Sequence, residues 1–422
     1  MNADERRCAR KLLSYLRSSA FICGFILCSV ARGDESPFGI NGCTWSHLGM
    51  NTEKFDRETG LKRLRALKEA GATWDRCDLW WGRIEPEKGK FIWRDVDWIV
   101  KQYQDAGINF MPILCYGSEW QKSKAPVTGE ERELYARYVY EMVNRYKGAI
   151  HVWEIWNEPN ITPFWAPTPD VKEYAKLLKV AYLAAKRADP NCTVVGAAVA
   201  GVDFDFINAL LDAGGGECMD AISMHPYQGD LGSLSPDKGG LWDQVRGLDK
   251  ILADHGYRKP IYLTEMGHRT TGTVGHTQVT EEQQAAYLIR SYVIGLAAGA
   301  DRTFWFNLQD WEEFWGIIRQ NFERKPSFAA YQMMVKNLAG RKAIGTVELG
   351  KDVAAYVFAP ARHPVRARDA VLIVWSPDDA ERTVKLGQKD VRVGMMPQFF
   401  AIDDLTLKSL KPLPEPPLLA KH

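Results

Sequence analysis

Short apolar or β-branched runs alternate with helix-periodic segments eight times along the first three-quarters of this chain, and no other feature narrows its folds so far. The predicted strands are Phe38–Asn41, Thr73–Cys77, Asn109–Leu114, Val152–Trp156, Thr193–Ala197, Ala221–Met224, Ile261–Thr264 and Thr303–Phe306. Between them apolar residues recur at helical spacing, as in Leu61, Leu64 and Leu67, in Val96, Ile99, Val100 and Tyr103, and finally in Phe328, Tyr331, Met334 and Val335. Gly71 and Gly107 stand where a left-handed residue ends one helix and turns the chain into the next strand. Eight such units predict an α/β fold of the (β/α)8 TIM-barrel type, about 300 residues long. A doubly wound sheet is the competing topology, but no G-x-G-x-x-G follows the first strand.

After about residue 343 the pattern changes to short alternating runs, Val353–Phe358, Val371–Trp375, Thr383–Leu386 and Phe399–Ile402, with no amphipathic helix. The chain therefore divides into a barrel at 32–342, a small C-terminal β-sandwich module at 343–410 and a Pro-rich tail at 411–422. Residues 1–31 read as a signal peptide. Arg6, Arg7, Arg10, Lys11 and Arg17 precede an apolar run from Ala20 to Val30 and a small-x-small site at Ser29-Val30-Ala31. That run is too short to span a bilayer, so cleavage and secretion to the periplasm or the exterior are expected, with no membrane attachment afterwards.

Across the 422 residues, 54 Lys and Arg nearly cancel 53 Asp and Glu, so no global field favours nucleic acid. The 15 tryptophans are unusual; indole faces suit flat C–H surfaces such as those of sugars, although a Trp-rich core is the bland reading. Downstream of the signal, Cys43, Cys77, Cys115, Cys192 and Cys218 show no C-x-x-C spacing, and neither a disulfide nor a structural zinc site is expected. The eight histidines form no H-E-x-x-H or comparable cluster, so neither a metal nor another cofactor is expected.

Active-site groups of a barrel project from the C-terminal ends of its strands. Glu158 closes the fourth predicted strand and Glu265 the seventh, so both face one cleft. Retaining hydrolysis of a glycosidic bond needs two carboxyl groups about 5–5.5 Å apart, one to protonate the leaving oxygen and one to attack the anomeric carbon. Alone, Asn-Glu-Pro is an ordinary turn and Thr-Glu can end any strand; their joint placement beside Trp-rich loops is what points to catalysis.

The segment Glu154-Ile155-Trp156-Asn157-Glu158-Pro159-Asn160-Ile161-Thr162-Pro163-Phe164-Trp165 closely resembles the E-[VI]-W-N-E-P-N-x-x-x-F-W signature of glycoside hydrolase family 39, within clan A. The resemblance spans the barrel and implies that Glu158 is the acid/base, Glu265 the nucleophile and Asn157 a hydrogen-bond partner of the sugar 2-hydroxyl. Met224-His225-Pro226-Tyr227 is similar to the clan's His-x-Tyr, whose Tyr holds the nucleophile, and Arg76 matches the clan's Arg beside the same carboxylate. Trp305 resembles the platform under the reacting sugar. These roles make physical sense: an Arg76 guanidinium and a Tyr227 hydroxyl would keep the nucleophile ionised, whereas the acid needs a less polar setting and a second carboxylate nearby. Against them stand an ordinary ion-pair Arg and a core His.

Trp120, Trp165 and Trp311, with Trp80, Trp81, Tyr116 and Trp315, lie in loops on the expected catalytic face, where sugar contact competes with loop packing. Glu85 reads as structural. The sequence thus predicts a secreted retaining glycosidase acting on β-linked oligo- or polysaccharide. An exo-acting β-xylosidase or an α-L-iduronidase is the alternative within the family, and a carbohydrate-binding barrel without catalysis or a metal-dependent esterase are the readings outside it. Arg269 and Arg319 are the cations an iduronidase would offer to a uronate, unless they are solvated surface.

Overall fold

The computed structural model describes residues 36–121, 124–230, 232–270, 278–311, 313–362 and 364–417; the expected signal peptide lies outside them. Eight parallel strands close into a barrel in the order β1-β2-β3-β4-β5-β6-β7-β8, with β1 (Phe38–Asn41) paired to both β2 (Trp74–Trp80) and β8 (Arg302–Phe306). The others are β3 (Asn109–Cys115), β4 (Val152–Ile155), β5 (Thr193–Ala200), β6 (Ala221–His225) and β7 (Ile261–Met266). One long helix follows each strand: α1 (Arg57–Ala70), α2 (Arg94–Ala106), α3 (Gly129–Tyr146), α4 (Val171–Ala188), α5 (Phe204–Asp212), α6 (Leu241–Asp254), α7 (Glu281–Ala298) and α8 (Pro326–Leu338).

Local chemistry explains where these helices begin and stop. Thr128 and Thr280 each form a reciprocal capping box with the residue three positions on, satisfying two backbone N–H groups that the first turn leaves unpaired. Gly71 and Gly107 close α1 and α2 with φ of 89° and 68°, a conformation that costs most other residues about 1 kcal/mol or more. Because side chains alternate across a strand, one set of residues fills the barrel interior. Trp74, Met111, Val152, Val195, Ala221, Tyr262 and Phe304 form a buried apolar floor, and the next inward residues on β2, β4 and β6 are Arg76, Glu154 and Ser223. The barrel is therefore a packed core below and a polar site above.

Beyond the barrel, β9 (Arg341–Thr346), β10 (Ala354–Pro360), β11 (Val371–Trp375) and β14 (Gln398–Ala401) form an antiparallel sheet ordered β14-β11-β10-β9, and β12 (Arg382–Leu386) pairs with β13 (Lys389–Val393). Val357, Leu372 and Val374 on the sheet pack with Val384 and Val393 of the hairpin, the core of a small sandwich. The other face of the sheet, through Phe358, Ile373 and Trp375, joins the barrel core. Arg290 of α7, fully buried, locks this docking: it donates to the Met395 carbonyl and pairs with Asp237, which also accepts from Trp375 Nε1 at 2.9 Å. The 342/343 boundary expected from sequence falls inside β9. Neither β9 nor β13 was anticipated, because both carry charges on an exposed face that hide their alternation. A one-turn helix at Asp404–Lys408 was also not anticipated. The tail is tied back to the barrel, with Arg246 and Arg258 donating to the carbonyls of Glu415 and Pro417. Cys43, Cys77, Cys115, Cys192 and Cys218 are buried free thiols, and no described helix is long and apolar enough to cross a membrane.

Candidate active site

Arg76 organises the upper end of the barrel. Its guanidinium is fully buried and donates from Nε to Glu154 at 2.5 Å, from Nη1 to Glu265 at 2.6 Å and from Nη2 to Asn157 at 3.0 Å, with His225 Nε2 at 3.4 Å from Nη2. Burial alone disfavours its charge, but the carboxylates of Glu154 and Glu265 on either side more than reverse that, and Arg76 is a fixed cation. Ser223 Oγ donates to the second Glu154 oxygen at 2.9 Å, so this interior carboxylate is satisfied on both sides.

Glu265 lies within a register shift in β7, between Leu263 and Met266, which re-aims the end of the strand. Besides Arg76 it accepts from Asn41 Nδ2 at 3.1 Å and from the Tyr227 hydroxyl at 2.8 Å. Burial pushes its carboxyl up, yet His225, Arg76 and the Tyr227 hydrogen bond outweigh that and hold it below the usual glutamate range. Burial and the two nearby glutamates push the Tyr227 phenol well up, so it remains a donor.

Glu158 has a different setting. Its backbone is in the left-handed region at φ 45°, two residues after Trp156 at φ 68°, and its N–H donates to the Ala198 carbonyl at 2.9 Å across the loops. Left-handed geometry costs a non-glycine residue about 1–3 kcal/mol and persists only where surrounding structure imposes it. The elbow swings the carboxyl toward β6, where His225 Nδ1 lies 2.8 Å from Oε1; Thr264 Oγ1 meets the other ring nitrogen at 3.1 Å. One oxygen of Glu158, one of Glu265 and a nitrogen of His225 all lie within 4.8 Å of one another. A cation could use those three atoms, but the Arg76 charge already stands 2.6 Å from Glu265, so the set is a poor host for a second cation. Glu158, Glu265, Asn157, Arg76, His225 and Tyr227 are thus brought together in one cluster.

The aromatic assignments divide. Phe304 is in the barrel floor and Phe306 pairs in register with Asn41, so Trp305 between them points out of the barrel; it is fully buried against the helices and cannot be a platform. The half-buried Phe306 is instead the ring at the end of β8 that meets Tyr227, Trp311 and Trp315. Trp165 is likewise core, wedged between Trp156 and Tyr174 at 5.6 and 5.8 Å. Trp120 packs edge-on against Trp81 at 5.3 Å and donates to the Glu85 carbonyl, a loop-packing role. Glu85 is fully buried and structural, accepting from Trp81 and Gly89 and pairing with Arg137.

Trp311 does reach the cleft, as part of a run of ring contacts that leads from Phe164 through Tyr116, Trp80, His47, Trp311 and Phe306 to Trp315 and Tyr227. One end follows Glu158 in sequence and the other is hydrogen-bonded to Glu265. Arg269 is buried, pairs with Glu313 and lies over Trp315, while both terminal nitrogens of Arg319 bind Glu281. Sequence reasoning missed Asn41, Glu154, Ser223 and Phe306. Asn41 and Phe306 could have been found, since each is the last residue of a predicted strand, and Glu154 opens the signature itself.

Residues 119–395 match the sequence model of the family described as "Glycosyl hydrolases family 39". A β-xylosidase of Caldicellulosiruptor saccharolyticus is 29% identical over 256 residues, covering 54% of this chain and 48% of that protein. A β-xylosidase of Geobacillus stearothermophilus is 34% identical over 150 residues, covering 31% of this chain and 30% of that protein. The match thus spans about half the length of the first relative and less of the second. Among solved structures, a family 39 glycoside hydrolase from the gut symbiont Bacteroides cellulosilyticus WH2 is similar with a TM-score of 0.68 at 23% identity, covering 82% of this chain and 79% of that one. A family 39 β-xylosidase from Caulobacter crescentus follows the same fold, with a TM-score of 0.56 at 19% identity over 81% of this chain and 77% of that one.

Proposed function

This chain belongs to family 39 of the glycosyl hydrolases, and from that premise we propose that it is a secreted retaining glycosidase that cleaves β-glycosidic bonds of an oligo- or polysaccharide with Glu158 as acid/base and Glu265 as nucleophile. The observation that carries the reading is the contrast between two carboxylates whose oxygens approach within 4.8 Å. Glu265 accepts from three donors, one of them cationic, and so enters the reaction ionised; the carboxyl of Glu158, among the described residues, meets His225 alone. An inverting enzyme would need about 6.5–9.5 Å between carboxyl groups to seat a water.

In the first step Glu265 attacks the anomeric carbon while Glu158 gives its proton to the departing oxygen, leaving a glycosyl ester. Forming that ester removes the charge beside Glu158, which then takes a proton from water as the water attacks the same carbon and frees Glu265. In this reading Asn157, fixed by Arg76, bonds the 2-hydroxyl, and the aromatic arc offers C–H stacking surfaces to a sugar chain. Secretion rests on the basic and apolar pattern of residues 1–31. An exo-acting β-xylosidase is the second reading, favoured by the names of the relatives matched.

The test is a 2-deoxy-2-fluoro glycoside with a good leaving group: fluorine slows both steps, the leaving group rescues only the first, and an ester should accumulate on Glu265 within the peptide 261–269. NMR should show the first-formed sugar with the starting anomeric configuration. An inverted first product sinks the nucleophile assignment, and a label elsewhere reassigns it.

A further inference from the structure

Asp78 is a third carboxylate at the mouth of the barrel that nothing above has used. It lies on β2 two residues beyond Arg76 and four beyond Trp74, and alternation along the strand turns all three to the barrel interior. It therefore sits one layer above the Arg76 hub, and its charge is felt there: Arg76, Glu265 and His47 all act on its ionisation. Burial comes first among those influences and raises the Asp78 carboxyl above the usual aspartate range, yet the residue is half-buried rather than sealed, and what it faces is the cleft.

Its hydrogen-bonding sets it apart from its neighbours. Asp75 and Glu154 are fully buried and engaged on both oxygens, Asp75 by Gly42 N and the Tyr103 hydroxyl, Glu154 by Arg76 and Ser223. Asp78 accepts one long bond from Trp80 Nε1 at 3.3 Å and a thiol contact from Cys115 at 3.8 Å. An ionised carboxylate offers about four acceptor sites, so most of its capacity is unspent. Among the described residues no cation pairs with it, since the donors of Arg76 are directed to Glu154, Glu265 and Asn157. An unspent carboxylate beside the nucleophile suits a ligand that brings O–H donors, and repels one that brings a negative charge.

We propose that Asp78 accepts hydrogen bonds from hydroxyl groups of a neutral sugar in the reacting subsite, and that its charge excludes uronic sugars from that subsite. The proposal rests on the glycosidase reading and sharpens it: the substrate residue on the nucleophile side of the scissile bond is uncharged. Arg319, both of whose terminal nitrogens bind Glu281, supplies no counterweight for a uronate, and Arg269 already spends one nitrogen on Glu313.

The test uses the full chain with Asp78→Asn and Asp78→Ala. Asn keeps an acceptor for Trp80 but removes the charge; Ala removes both. The probes are the matched 4-nitrophenyl β-glucoside and β-glucuronide, β-galactoside and β-galacturonide, and β-mannoside and β-mannuronide, the β-xyloside, the α-L-iduronide, β-linked trisaccharides, and the monodeoxy forms of whichever neutral probe turns over fastest. The wild type should favour that neutral sugar over its uronic partner by at least 100-fold in kcat/KM, and Asp78→Asn should narrow the gap at least tenfold. For one or two hydroxyl positions, deoxygenation should cost the wild type at least 30-fold and Asp78→Ala less than threefold. A merely structural Asp78 would lower all probes together and leave these ratios unchanged, which would overturn the proposal, as would a uronide cleaved as well as its neutral partner. Either result leaves the glycosidase reading standing. Failure of the wild type to cleave any probe would instead overturn that reading and this proposal with it.

Discussion

Replacing Arg76 by Ala should damage stability and catalysis together, and a second substitution should separate the two. The wild-type side chain and that of Glu154 are both fully inaccessible to solvent, and that of Glu265 is 12% exposed, so no screening by water softens the loss. Breaking a buried ion pair by deleting one partner costs about 3–5 kcal/mol, because the remaining charge is buried without compensation. Arg76 serves two carboxylates, which argues for about 4 kcal/mol or more. At ~2.1 cal/mol/K per residue the unfolding entropy of a unit this size is ~0.8 kcal/mol/K, so Tm should fall by about 5 °C. Activity should fall about 10³-fold in kcat, since the nucleophile loses the charge that ionises and aims it. Adding Glu154→Gln removes the stranded interior carboxylate and should return roughly half of the lost stability without restoring turnover. The assays are calorimetric melting and steady-state kinetics. Near-wild-type kcat in Arg76→Ala, or activity recovering along with stability in the double variant, would refute the reasoning.

Three further outcomes are expected. Tyr227→Phe deletes one hydrogen bond to an ionised carboxylate, about 1.5–3 kcal/mol, so kcat/KM should drop about 10–100-fold with Tm within a few degrees of wild type; unchanged kinetics would detach Tyr227 from the reaction. Phe306→Ala should raise KM or lower kcat/KM at least tenfold, whereas Trp305→Phe and Trp165→Phe should cost about 1–3 kcal/mol of stability and leave KM within about twofold; the opposite pattern would return the platform to Trp305. Asp75, whose carboxyl is pushed to about 7 chiefly by burial, binds protons more tightly folded than unfolded. It should therefore make stability fall as pH rises from about 4 to about 7, and Asp75→Asn should flatten denaturant-measured stability across that window.

The sequence by itself determined the barrel and the two ends of the chemistry. Eight apolar runs with helical intervals leave few topologies, and all eight runs overlap observed strands because burial on both faces makes barrel strands nearly continuous in hydrophobicity. Where the apolar pattern ran out, so did the prediction: β2 and β7 continue past their expected ends through Asp78 and Glu265, and pairing with Ile113 of β3 holds Asp78 in the strand. Glu158, Glu265, Asn157, Arg76, His225 and Tyr227 were legible because a specific signature and strand-end positions mark them, and the structure gathers them within hydrogen-bonding distance. Trp305 and Trp165 were misread because a local pattern does not say which way a side chain faces. One residue's shift along a strand moves a ring from the cleft to the helix layer, and only closure of the barrel, pairing Phe306 with Asn41, fixed that register. Asn41, Glu154 and Ser223 joined the site for the same reason: each is an ordinary residue whose role exists only because strands far apart in sequence bring it against Arg76 or the carboxylates that Arg76 holds.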